Sequence, residues 1–211
     1  MKKALVWDHI IEQRAALRDT LAHFTEEQWN APSLCSKWRV RDVAGHAISS
    51  PQITWGVTAI LVPTMIRHGY NGAIERDGIR RGSVPIEELL RQWNTWATVR
   101  RGPVTTSHLE PLFDILIHTQ DIYRPLGIDY DIPLEAVKAI MNRGWLLGKT
   151  MPGHQSNKQF RFRATDTDWE RGNGKLILEA PLQEILMMVS GRQPRLDTVT
   201  GTGLSALTPS R

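Results

Sequence analysis

The amino-acid sequence predicts a mainly α-helical protein, in which a helical bundle is followed by a small α+β domain. Apolar residues recur at helical spacing in five segments of the first 150 residues or so, and none of these segments alternates as a half-buried strand does. Period-two alternation is found only beyond Gly153. We therefore expect residues 1–153 to form the bundle and residues 154–211 to form the small C-terminal domain.

The first helices are predicted from apolar periodicity and from a capping motif. The helix predicted over residues 5–24 has these apolar residues at helical spacing: Leu5, Ile10, Ile11, Leu17, Leu21 and Phe24. Thr25 and Gln28 then match a capping box, which predicts a short helical turn that ends near Trp29. Pro32 and two serines interrupt the periodicity, so we expect the next helix to begin near Trp38.

The middle of the chain is predicted to contain a long loop and three further helices. Pro51 and Pro63 are expected to end or kink the chain that follows the helix begun near Trp38. Residues 67–84 contain four glycines and many charges, which predicts a loop. The three further helices are predicted over residues 83–100, 111–123 and 133–147.

The tail is predicted to be a small α+β unit. Residues 159–165 alternate between apolar and polar side chains, and residues 175–180 form a second apolar run. The turn residues between these runs predict a β-hairpin. Residues 181–190, which open with Pro181, are predicted to be a short helix.

Composition excludes several functional classes. The formal charge is only +4, and acidic residues are interleaved with the basic ones, which argues against a nucleic-acid partner. The longest mostly apolar stretch, residues 53–66, is shorter than the ~20 residues that a bilayer-spanning helix needs.

Cys35 is the single cysteine, so no intrachain disulfide is expected. Its loop offers it no base partner, which favours a structural role. We expect a cytoplasmic protein, because the N-terminus becomes polar too early for a signal peptide, and a homodimer is left open.

Three polar residues interrupt the apolar helix predicted over residues 111–123. Asp114, His118 and Asp121 lie at positions i, i+4 and i+7, which places all three on one helical face. A buried carboxylate or imidazole is costly unless it is paired or bound to a metal ion. His46 stands in a similar apolar setting on an earlier helix, so that contact between the two helix faces would bring two imidazoles and a carboxylate together. Such a set binds divalent metals and leaves a position open for water or substrate.

The same residues allow other interpretations. Asp114 and His118 are also consistent with a hydrogen-bonded core pair or with a surface ion pair on the helix. His108, which precedes the helix, is an alternative ligand. Arg124 is a candidate for binding a substrate carboxylate, but it is placed equally well to cap the end of the helix. Asp121 is a candidate for orienting His118 or a ligand water, or for holding a loop N–H.

Two motifs resemble those of a known enzyme family. Residues 38–46, WRVRDVAGH, and residues 114–127, DILIHTQDIYRPLG, are similar to two signatures of the mycothiol-dependent maleylpyruvate isomerases, a branch of the DinB-like metalloenzymes. The loop at residues 32–38 and the tail segments at residues 165–169, 190–192 and 200–204 also resemble this family, so the likeness extends over essentially the whole chain. It implies a DinB-like bundle with an up-down-down-up four-helix core.

The resemblance also implies a site and an activity. It makes His46, Asp114 and His118 the ligands of one divalent metal ion, with zinc expected and nickel, iron or manganese tolerated. The family has glutamate at the acidic position, so Asp114 is a departure that draws the metal closer to the helix or admits a water. Mycothiol is the implied cosubstrate, and the implied reaction is isomerisation of a small electrophile or thiol transfer to it. The alternatives are a metal-binding protein of the same fold without turnover and a metal-free helical interaction protein.

Overall fold

The computed structural model describes residues 2–148 and 159–207, which form eight α-helices and a small sheet. The helices are α1 (Lys3–Leu21), α2 (Glu26–Asn30), α3 (Val40–Ala47), α4 (Trp55–Gly82), α5 (Ile86–Trp96), α6 (Leu109–Tyr123), α7 (Leu134–Gly148) and α8 (Leu182–Val189). The strands are β1 (Phe160–Ala164), β2 (Glu170–Arg171) and β3 (Leu176–Ala180). The predicted fold class, mainly helical with a small α+β C-terminal part, is confirmed.

The chain divides into two compact units, Met1–Tyr130 and Asp131–Arg211. Helix α7 belongs to the second unit because it packs against α8. The boundary predicted between residues 153 and 154 lies outside the described residues, and the division into domains 1–153 and 154–211 stays a prediction. Periodicity detected α7, but it could not indicate which helix would cover its apolar face.

The core of the first unit is built around α6. Almost every residue from Pro111 to Tyr123 is buried, because α6 packs against both α1 and α3. Helix α1 contributes a stripe of buried apolar side chains to this core: Val6, Ile10, Leu17 and Leu21. Most polar side chains on α6 are therefore held in the interior of the unit, where they need partners.

The capping box predicted at the start of α2 is present. The Thr25 side chain accepts a hydrogen bond from the backbone N–H of Gln28, and the Gln28 side chain accepts one from the backbone N–H of Thr25. This reciprocal pair satisfies two of the N–H groups that the first turn of a helix leaves unbonded. It fixes the chain direction just before the loop that leads into α3.

The loop predicted over residues 67–84 is wrong, because α4 continues through it to Gly82. Its interruption lies at Gly69, whose φ of 70° is left-handed, whereas Pro63 sits within the helix. The later glycines serve close packing: a Cβ added at Gly82 would lie 2.5 Å from the Cα of Asp42 on α3. Here glycine lets two helices approach, so its presence did not indicate a loop.

The predicted β-hairpin is also wrong, although its two strands are present. β1 and β3 are parallel, with Phe162 opposite Leu178, and the strand order is β2-β1-β3. The turn residues after β1 lead into the short strand β2, which pairs antiparallel with one edge of β1. The chain then crosses to the other edge of β1, which makes β3 parallel. Two alternating strands could not by themselves reveal this intervening strand.

Membrane insertion through a helix finds no support in the structure. None of the helices within residues 2–148 and 159–207 is both long and apolar enough to cross a bilayer.

Candidate metal centre

The first element of the site is α3, which carries His46. The helix begins where Asp42 accepts hydrogen bonds from the backbone N–H of Arg39, at 2.9 Å, and from its guanidinium. Asp42 is buried and serves the start of the helix. One turn later, the His46 ring lies 5.0 Å from the ring of Trp38 and 5.0 Å from the ring of His118, measured between centroids. The contact between α3 and α6 therefore brings the two histidines together.

The ligand atoms of His46, Asp114 and His118 converge. Oδ1 of Asp114 lies 3.4 Å from Nε2 of His46 and 3.3 Å from Nε2 of His118. One ligand atom from each residue lies within 4.8 Å of the others. Two ligands bound tetrahedrally to one zinc ion at about 2.0–2.2 Å stand about 3.4 Å apart. The donor atoms and their spacing thus suit a single divalent metal ion.

Asp121 holds the His118 ring from the other side. Its Oδ2 lies 2.8 Å from Nδ1 of His118, and its carboxylate is fully buried. With a proton on Nδ1 donated to this carboxylate, the lone pair of Nε2 faces His46 and Asp114. This is the arrangement in which a carboxylate orients a metal-binding imidazole, as the sequence allowed for Asp121.

Cys35 is a part of the site that the sequence analysis missed. Its thiol donates to Oδ2 of Asp121 at 3.2 Å, and the backbone N–H of Leu34 donates to the carbonyl of Asp121 at 3.1 Å. The loop before α3 is therefore fastened to α6 at the residue that orients His118. No local pattern could have indicated a contact between residues so far apart in the chain.

Electrostatic interactions couple the ionisation of Asp114 to that of His118. Burial works to raise the pKa of Asp114, but the His118 and His46 imidazoles outweigh it and hold that pKa well below its usual range. Burial works to lower the pKa of His118, but Asp114 and the hydrogen bond to Asp121 raise it well above its usual range. Without a metal ion, the favoured state is an aspartate paired with a protonated histidine. A metal ion that binds here replaces that proton.

Comparison with known proteins finds a family match in the first part of the chain. The mycothiol maleylpyruvate isomerase N-terminal domain family matches residues 11–100. The resemblance stated from the motifs is thereby confirmed. The match covers less than half of the chain. The matched segment includes His46 and ends before α6, which carries Asp114 and His118.

Solved structures extend the likeness of fold beyond the matched family segment. Two crystal structures of a mycothiol-dependent maleylpyruvate isomerase, one of them a histidine-to-alanine mutant, align with a TM-score of 0.64 and 12% sequence identity. Each alignment covers 100% of this chain and 96% of the other. At this identity, the alignments establish the fold of the isomerase and no more. No curated protein sequence matches the chain.

The two other candidates from the sequence were Arg124, for a substrate carboxylate or a helix cap, and His108, as an alternative ligand. Nε of Arg124 donates to the Gln120 side chain at 2.7 Å, and Arg124 begins the short 3₁₀ turn that follows α6. His108 occupies the N-cap position of α6, and it is not among the ligand groups found within the described residues. Within the described residues the geometry brings together His46, Asp114 and His118, the ligands that the resemblance implies, and it also brings together Cys35, His118 and Asp121.

Arg14 is a second residue that sequence reasoning missed. It lies on α1 and is 1% exposed, and burial lowers the pKa of its guanidinium to about 10, an effect that the charge of Asp114 opposes. The sequence did carry a signal. Ile10, Arg14, Leu17 and Leu21 follow the helical repeat, so that a charged residue occupies the apolar stripe of α1.

Proposed function

We propose that this chain is a divalent-metal-dependent enzyme that uses mycothiol, and that it acts on a small electrophilic substrate by isomerisation or by thiol transfer. The observation that carries the proposal is the convergence of His46, Asp114 and His118, with Asp121 on the far nitrogen of His118. The family match over residues 11–100 supports the thiol. Zinc fits two imidazoles and a carboxylate, while nickel, iron and manganese would also accept them.

A bound divalent ion would deprotonate a coordinated thiol, whose ordinary pKa of about 8.5 leaves it mostly protonated at neutral pH. The chain's own residues prepare this site. Asp121 keeps the Nε2 lone pair of His118 directed inward, and Asp114 supplies one negative charge. The hydrogen bond from Cys35 holds Asp121 in place. Three protein ligands leave a position open for the sulfur.

In the isomerisation, the thiolate sulfur adds to one carbon of a conjugated double bond. The π electrons of that bond move onto the conjugated carbonyl, and the carbon–carbon link becomes single and rotates. Return of the electrons expels the thiolate and restores the double bond in the other geometry, so no atom is gained or lost. In the transfer reaction, the adduct takes up a proton at carbon and leaves with the sulfur attached. Both reactions need the same site.

The proposal is tested by elemental analysis of the protein as purified, followed by a screen for thiol-dependent turnover of conjugated electrophiles. We expect about one divalent ion per chain, and we expect His46→Ala to lose both the ion and the activity. His23→Ala is the matched control, because His23 is exposed on the first unit and its Nδ1 contacts only a backbone carbonyl of its own turn among the described residues. A wild-type chain that neither carries nor takes up a divalent ion would overturn the proposal.

Metal retention without turnover by any thiol would instead favour a binding protein of the same fold. The cytoplasmic location, the absence of a nucleic-acid partner and the open question of a homodimer stay predictions from the sequence.

A further inference from the structure

Arg14 is a buried cation with an unused hydrogen-bonding edge. Its Nη1 donates to the backbone carbonyl of Val99 at 3.3 Å. Its Nε and Nη2 are buried and have no hydrogen-bond partner within the described part of the chain. A buried charge is costly unless it is paired, and a buried N–H without an acceptor adds to that cost. An unsatisfied group of this kind calls for an explanation.

The unused edge has the shape that binds a carboxylate. Nε–H and Nη2–H point the same way from the guanidinium plane, so they can donate in parallel to two oxygens. This protein uses that edge elsewhere: Nε and Nη2 of Arg39 each donate to Asp42 at 3.0 Å, and those of Arg91 each donate to Glu88 at 2.7 Å. In both pairs the same two nitrogens hold the two oxygens of one carboxylate.

Arg14 is also electrostatically coupled to the candidate metal centre. Helix α1 packs against α6, and the charge of Asp114 acts on the Arg14 guanidinium. The Asp114 side chain is 28% exposed, so this side of the centre faces solvent. If Asp114 binds a metal ion, less of its negative charge is left to compensate Arg14.

The missing partner is an acceptor. The indole Nε1 of Trp93 is also buried without a partner among the described residues, and Trp93 lies on α5, which packs against α1. Indole and guanidinium groups can only donate hydrogen bonds. A ligand that satisfies Arg14 must therefore bring oxygens, which a neutral apolar substrate lacks.

We propose that Arg14 binds a carboxylate of the electrophilic substrate through Nε and Nη2, next to the metal centre. The inference rests on the proposed function, and it assigns the binding of the substrate's acid group to Arg14. Arg14 would hold the acid group while the thiol adds at the double bond. The cost of its unpaired burial is then offset when the ligand binds.

The first test compares stability with ligand binding. Arg14→Met keeps the length of the side chain and removes the charge, so we expect the thermal midpoint without ligand to be unchanged or higher. If Arg14 only stabilised the fold, Arg14→Met would lower this thermal midpoint. Arg14→Lys keeps the charge but loses the parallel pair of N–H donors. It tests the proposal if Arg14→Met does not fold.

Propionate is the probe, and propionamide is its neutral counterpart of the same size. We expect propionate to raise the thermal midpoint of the wild-type protein, with at least a tenfold weaker effective affinity in Arg14→Met and Arg14→Lys. Propionamide should have no effect. Arg18→Met is the matched control, because Arg18 lies one turn further along α1 and pairs with Asp19 outside the core. Equal stabilisation of the Arg14 variants by propionate, or equal stabilisation of the wild type by propionamide, would overturn the proposal.

The measurement is repeated on His46→Ala, which separates the two proposals. Binding of propionate that survives in this variant and still depends on Arg14 supports the carboxylate site even if no thiol-dependent activity is found. Binding that is lost with His46 and persists in Arg14→Met places the carboxylate on the metal ion, which overturns the role of Arg14 and leaves the proposed function standing.

Discussion

At the scale of single residues, the candidate metal site includes groups that contact the proposed ligands as well as the ligands themselves. Asp121 is the clearest case, because it is fully buried and accepts hydrogen bonds from both His118 and Cys35. A carboxylate in this position fixes the orientation of the imidazole and raises its basicity. If the site binds a metal ion, it can therefore be weakened without altering any of the proposed ligand atoms.

We expect Asp121→Asn to lower metal affinity by about 10–100-fold while the fold is retained. The amide oxygen accepts a hydrogen bond, but it carries no charge to favour the imidazole as a ligand. Competition with a chromogenic chelator measures the affinity. Asp19→Asn, at an exposed aspartate on α1, is the control, and an affinity equal to that of the wild type in both variants would contradict the role given to Asp121.

Metal affinity should also rise with pH. The pKa of His118 is raised in the metal-free protein, with burial opposing the shift and Asp114 driving it, so a proton must leave before the metal ion binds. We expect about a tenfold gain in affinity per pH unit while His118 holds that proton, continuing above pH ~6.5, where an ordinary histidine has already released it. Zinc titrations between pH 6 and 9 in a weakly coordinating buffer test this.

The raised pKa of His118 has the opposite consequence for the stability of the metal-free protein, which should fall as pH rises. A raised pKa in the folded state contributes stability that is complete below pH ~6.5 and is lost as pH rises through the raised value. Chemical denaturation of the metal-free chain should therefore show lower stability at pH 9 than at pH 6. An affinity for zinc that is flat over this range would show that His118 holds no proton to displace.

At the scale of elements, the contact between α3 and α4 positions His46. Gly82 lies where a Cβ would be 2.5 Å from the Cα of Asp42, a distance that real side chains do not reach. Asp42 in turn forms the first turn of the helix that carries His46. Packing at Gly82 is thus linked through α3 to the geometry of the site.

We expect Gly82→Ala to destabilise the protein by about 1–3 kcal/mol, because the added methyl group meets the backbone of Asp42 as well as its hydrogen-bonded carboxylate. Gly56→Ala is the matched control in the same helix, since its Cβ would meet only the Thr54 hydroxyl at 3.8 Å. That change should be neutral or should stabilise by up to about 1 kcal/mol. Urea denaturation of both variants gives the comparison, and equal stabilities would refute the packing argument.

Elements with a strong local signal could be predicted from the sequence, and those defined by distant contacts could not. The apolar stripe of α1 and the capping box at Thr25 are local, and both are present. Gly78, which makes room for the Trp38 side chain, and Gly82, which makes room for α3, were mistaken for loop residues. A glycine that allows close packing looks the same in sequence as one that bends a chain. The parallel pairing of β1 with β3 depends on β2, which is too short to produce a periodic pattern.

In the candidate site, too, the local pattern could be predicted from the sequence and the contacts between distant residues could not. The spacing of Asp114, His118 and Asp121 put them on one face, but only the packing of α3 on α6 brings His46 to them. Cys35 is joined to Asp121 across 86 positions of the chain, beyond the reach of any periodic argument. Arg14 was overlooked, although its place in an apolar stripe was visible.

At the scale of the whole molecule, metal binding and folding of the first unit should be coupled. Ligands from α3 and α6 meet only in the folded state, so an ion that binds them stabilises that state by mass action. At a free metal concentration about 100 times the Kd, the gain is about 2.7 kcal/mol. Trp38 offers a local signal, because its ring lies 5.0 Å from the His46 ring and 6.1 Å from the His118 ring.

We therefore expect a strong chelator to lower the thermal midpoint of the wild-type protein and to change its near-ultraviolet circular dichroism, and we expect added zinc to restore both. His46→Ala should unfold at one midpoint with or without the chelator, because one of the three ligands is missing. His23→Ala, with all three ligands in place, should respond as the wild type does. A wild-type midpoint that ignores both chelator and zinc would mean that His46, Asp114 and His118 serve only as a hydrogen-bonded pairing of α3 with α6.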